Sequence, residues 1–169
     1  MSFIPSKAVS GEDIRYGLMD NSQDLTVGEA IIPGVQGDTS VVKTAGGTTG
    51  PVLGVVLAIV GDKGKVLELN QKAVAADNVT VGLIRVAYVP AYIPMTYMVD
   101  LDAAAETTDD SGAFSNFAID ATGLLAAEST RAAFTVIEDK QLFSFGLTGR
   151  SAREIEVRII SQIMGYNIA

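Results

Sequence analysis

The sequence predicts a mainly β fold: a small sandwich or partly closed barrel, with an additional β-rich C-terminal region and an extended N-terminal arm. Three observations carry that expectation. Short runs rich in Val, Ile and Thr recur along the chain, and these residues fit a pleated, half-buried surface. Glycine clusters and acidic turn residues cut the runs apart, at intervals typical of antiparallel sandwiches and barrels. Several runs alternate apolar and polar residues, the period of a strand and not of a helix.

Taken in order, residues 1–12 read as an arm. Phe3, Ile4 and Pro5 are apolar anchors without a periodic continuation, and Ser10-Gly11 separates them from the first strand-like run. Such a segment is either a frayed terminus or a strap that orders on a neighbouring subunit. Strands are expected at 14–19, at 25–32 before Pro33-Gly34, and at 39–44. The loop Gly46-Gly47-Thr48-Thr49-Gly50 leads to another at 52–60. Gly61-Asp62-Lys63-Gly64 is a hairpin turn that returns the chain through 65–69. A run at 79–92 is apolar on both faces beyond Leu83, as in a strand covered on both sides, while Pro90 and Pro94 make its end an edge or a crossing between sheets. Residues 13–98 thus form the core of the fold.

Residues 99–169 form a second β-rich region, open to packing within the same domain. It begins with an acidic, alanine-rich loop at 100–112, with short strands after it at 115–119 and 123–125. A hairpin is expected from 134–137 to 142–145 across Glu138-Asp139-Lys140-Gln141. The last segment carries competing patterns. Ser151-Ala152-Arg153-Glu154 matches a helix capping box, but Ile155, Val157 and Ile159 alternate with Glu154, Glu156 and Arg158. The alternation predicts a strand.

Composition excludes several functions. The 169 residues include no His, Cys or Trp, which removes Ser-His-Asp and Cys-His catalysis and His- or Cys-ligated zinc. Carboxylates remain, yet many sit in turns, such as Asp20, Asp24, Asp38 and Asp62. A glycosidase needs two facing one cleft. Twelve basic against twenty acidic residues give a net charge of −8, which disfavours a nucleic-acid partner. The longest apolar run, 51–60, is too short to span a bilayer, and residues 1–15 lack the pattern of a secretory signal. The expectation is a non-enzymatic protein with no cofactor and no membrane or nucleic-acid partner.

Two clusters invite a binding reading. Asp100, Asp102, Glu106, Asp109 and Asp110 offer hard oxygen ligands for calcium, but Ala104 and Ala105 break an EF-hand frame, which leaves a solvated acidic loop as the default. Tyr88, Tyr92, Ile93, Met95, Tyr97 and Met98 cluster around two prolines. They are either core or a contact surface. The prolines suit an exposed strap, and Tyr and Met are enriched in interface cores.

Residues 27–89 also resemble the capsid decoration, or cement, proteins of tailed bacteriophages. The likeness is carried by Val27-Gly28-Glu29-Ala30 before a turn, by Val41-Val42, by Gly50-Pro51-Val52-Leu53-Gly54-Val55-Val56, and by Gly82 ahead of Ile84-Arg85-Val86. It covers about a third of the chain and leaves the region beyond Tyr97 without a counterpart in the smaller members. It implies a virion protein, made in the host cytoplasm, that binds the outside of an assembled shell at junctions between major capsid subunits, commonly as a homotrimer. On that reading the contacts are expected at Phe3, Ile4, Pro5, Tyr88, Tyr92, Ile93 and Met95, with no catalytic, cofactor or metal residues. The alternatives are another virion part, such as a tail-tube or head-tail joining protein, and a carbohydrate-binding or adhesin module.

Overall fold

A computed structural model describes residues 3–34, 41–45, 52–61, 64–76, 84–100, 116–119, 125–127, 134–139 and 154–159. They are mainly β. The strands are β1 (Ile4–Pro5), β2 (Arg15–Met19), β3 (Leu25–Thr26), β4 (Ala30–Pro33), β5 (Val41–Thr44), β6 (Gly54–Val60) and β7 (Val66–Leu67), then β8 (Lys72–Ala73), β9 (Arg85–Pro90), β10 (Thr96–Asp100), β11 (Asn116–Ile119), β12 (Leu125–Ala127), β13 (Phe134–Asp139) and β14 (Glu154–Ile159).

One sheet has the order β4-β5-β2-β9-β6-β7 and curls into a half-barrel. Strand β4 pairs with β5 on one edge and meets β6 through Ala30↔Val55 and Ile31↔Gly54 on the other. The β2–β5 pair is parallel and its neighbours are antiparallel. Alternation then sorts the side chains. Met19, Ile31, Val42, Val56, Ile59, Val86 and Tyr88 fill the concave side with Leu25 and Val27. A β-bulge between Val56 and Ala58 keeps this sorting intact. Leu57 is the extra residue, and its insertion returns Ile59 to the interior, opposite Val86.

The run expected as one strand at 25–32 is two, β3 and β4. Gly28, at φ 100°, turns the chain between them, and the Glu29 N–H donates to the Thr26 carbonyl at 3.2 Å. Only glycine adopts such a φ without steric cost. Strand β3 leaves the curled sheet to pair with β8 as a two-stranded clasp. The clasp is tied by Lys72 to Asp24 at 3.0 Å and by the Ala75 N–H to Asp24 Oδ1 at 2.9 Å. The β6–β7 hairpin forms as expected, with the Gly61 N–H donating to the Lys65 carbonyl at 2.8 Å.

The second sheet has the order β1-β10-β14-β13-β11-β12. Its strand at 154–159 follows the alternation and not the capping box. Strand β13 continues through Glu138 and Asp139, where a hairpin turn was expected, and it pairs with β14 and β11. The other half of that expected hairpin, at 142–145, lies outside the described residues, as do 79–83 of the run expected at 79–92. Residues 96–100, read from sequence as part of a strap and the start of a loop, form strand β10, so the expected boundary at 98/99 falls inside a strand.

A second core lies between the sheets. Tyr97, Val99 and Val157 meet Ala30, Ala45, Val52 and Val55 from the convex side of the half-barrel. Phe3 enters the same cluster at 2% exposure. The expected free arm is therefore docked on its own chain. Ile4↔Met98 and Pro5↔Tyr97 pair in register, the Phe3 N–H donates to the Gly28 carbonyl at 2.8 Å, and the Ser6 N–H donates to the Thr96 carbonyl at 2.9 Å. The physical reason is the edge of β10, whose unpaired backbone groups offer a ladder to an apolar segment.

Candidate functional site

The residues singled out from sequence divide by burial. Phe3, Tyr88 and Met95 are buried within the single chain. Phe3 packs edge-to-face on Tyr97, with centroids 6.3 Å apart and planes at 86°. Tyr88 points into the half-barrel opposite Val56. These three are core side chains, which corrects their assignment as surface contacts: one apolar face of each strand is needed to fill the two cores. Ile4 and Tyr92 are exposed, and Pro5 and Ile93 are half-buried.

Tyr92 and Ile93 lie together with Pro94, Thr96 and Arg158 around a shallow hollow of ≈ 570 Å³ at the start of β10. Its shape is set by a turn in which the Ile93 N–H donates to the Pro90 carbonyl at 3.1 Å. The Ala91 N–H anchors the same turn on the Leu53 carbonyl at 2.7 Å. Part of the expected strap is thus surface, on a frame supplied by its buried neighbours.

A second hollow, of ≈ 410 Å³, was not anticipated. It lies on the outward face of β2, β9 and β6 and is lined by Tyr16, Gly17, Leu18, Val60, Arg85 and Ala87. Register builds it: Tyr16 lies opposite Ala87 and Ala87 opposite Ala58, while Leu18 lies opposite Arg85 and Arg85 opposite Val60. The alternation in Arg15–Met19 already places Tyr16 and Leu18 on one face. Their neighbours across β9 are fixed only by strand order.

Away from the hollows, Tyr97 and Asp24 are shifted from their ordinary titration by their surroundings. Tyr97 is buried and its hydroxyl has no hydrogen-bond partner among the described residues, and that burial pushes its pKa above the ordinary 10.0. Asp24 is held below the ordinary carboxylate range, chiefly by the Ala75 N–H and then by Lys72. Buried Asp20 accepts from the Ser22 N–H at 2.7 Å and from the Ser22 hydroxyl, which closes the turn after β2.

Among the described residues no three His, Cys, Asp or Glu side chains are grouped to hold a metal ion. The acidic segment 101–110 lies outside them. No described helix is long and apolar enough to cross a membrane. No protein-family description, curated protein or solved structure matches the chain.

Proposed function

We propose that the chain is a virion structural protein that binds the outer surface of an assembled phage capsid and strengthens it where capsid subunits meet. The supporting observation is a coincidence of pattern and place. Of the residues that carry the likeness to cement proteins, Ala30, Val41, Val42, Gly54, Val55, Val56, Arg85 and Val86 lie in strands β4, β5, β6 and β9 of the half-barrel, and Gly50, Pro51 and Gly82 lie outside the described residues. On this reading residues 13–98 are the shell-binding body, residues 99–169 extend it, and the docked N-terminal segment presents Ile4 and Pro5. Tyr92 and Ile93 form a neighbouring contact.

The mechanism is geometric. A clamp that bridges a junction must be released before the subunits part, so binding stabilises the closed shell by mass action. Three copies acting as a trimer add avidity without a strong individual contact. The test is co-sedimentation of the purified chain with expanded shells of its own phage, and then heating of the decorated shells. Saturable binding with a higher rupture temperature is the expected result. Failure to co-sediment overturns the reading, and ring assembly by the chain alone would point to a tail-tube or joining protein instead.

A further inference from the structure

We propose that the outward wall of the half-barrel around Arg85 docks an extended segment of a partner protein that carries a carboxylate between apolar side chains. The outward face of a half-covered sheet is ordinarily polar. Here two cross-strand rows, Tyr16–Ala87–Ala58 and Leu18–Arg85–Val60, place apolar residues on that face around one cation. None of these residues is needed inside, because Met19, Val86, Tyr88 and Ile59 from the same strands fill the core. Tyr16 is 70% exposed. Ala87 floors the hollow between the taller Tyr16, Leu18 and Val60.

Arg85 sets the chemistry of the occupant. Its side chain makes no hydrogen bond or ion pair among the described residues, and no described lining residue is acidic. A guanidinium presents a planar fork of N–H donors that matches a carboxylate. Apolar walls raise the worth of such a pair by excluding water. Tyr and Arg are also the residue types that most often anchor protein interfaces. A polyanion fits poorly, since one cation on a chain of net charge −8 offers no basic track. A hollow of ≈ 410 Å³ suits a few side chains of a strand laid along the wall.

The identification of the shell as the partner rests on the function proposed above; the chemistry of the wall does not. The test is a titration of the ¹⁵N-labelled full chain with the capped peptide acetyl-Val-Asp-Phe-amide and its Asn and Lys counterparts. Millimolar Asp peptide is expected to shift the amides of residues 16–18, 58–60 and 85–87. It should bind about tenfold more tightly than the Asn peptide, the margin of a charge-assisted hydrogen bond. Arg85→Gln should abolish that margin, while Arg85→Lys should keep part of it. Equal binding of the Asp and Asn peptides, shifts elsewhere, or no shifts at all overturn the proposal. So do concentration-dependent shifts of the same amides without peptide, which would assign the wall to a second copy. With shells, Arg85→Glu should lose binding that the unmodified chain retains, and equal binding by both overturns the wall as the contact. If the unmodified chain ignores shells yet the peptide result holds, the shell reading fails and the docking wall stands.

Discussion

Tyr97 carries a hydroxyl into the core between the sheets and finds no partner for it among the described residues. Such a group forfeits its hydration without compensation, at a cost of about 1–3 kcal/mol. Tyr97→Phe should therefore raise stability by a comparable amount, read by urea denaturation. The alkaline limb gives a second measure. Because burial raises the folded-state pKa above 10.0, the contribution is complete below that value. It is lost as pH climbs further, since only the unfolded phenol ionises readily. The variant should flatten that decline. Gly54 makes the opposite point. A Cβ there would collide with the Val89 carbonyl oxygen and come within 2.9 Å of Tyr88 Cδ2. Gly54 lies where β6 meets both β4 and β9, so the backbone has little room to yield. Gly54→Ala should cost about 1–3 kcal/mol by overpacking, measured as a lower urea midpoint with an unchanged slope.

Among the elements, β1 behaves least as its sequence implies. Two residues of strand would contribute little, but Phe3 beside them is buried. Phe3→Ala should cost about 3–5 kcal/mol, the range for emptying a buried aromatic site. A thermal scan that does not move would show the segment to be undocked in solution. Strands with clean alternation were legible in the sequence, as at Arg15–Met19 and Glu154–Ile159. Strand β10 was not, because Tyr97, Met98 and Val99 run consecutively behind two prolines and mimic an exposed strap. Strand β8 is too short for any period to show. The Arg85 wall was half legible. Period two assigns Tyr16 and Leu18 to one face, whereas their meeting with Arg85 depends on a pairing across nearly seventy positions of sequence.

At the scale of the whole molecule the two sheets share one apolar cluster, with Tyr97, Val99 and Val157 on one side and Ala30, Val52 and Val55 on the other. Neither sheet can open without exposing side chains that the other covers. Heat should therefore unfold the chain in a single transition, with calorimetric and van't Hoff enthalpies in agreement. Two resolved transitions would show that the sheets melt independently. The seating of Phe3 also has a consequence for the order of synthesis. The residues that receive it emerge from the ribosome some ninety positions later, and β14 later still. At ordinary elongation rates this segment waits on the order of 5 to 20 s with an uncovered phenylalanine. During that interval it is open to chaperones, and to the same segment of neighbouring nascent chains on the same message.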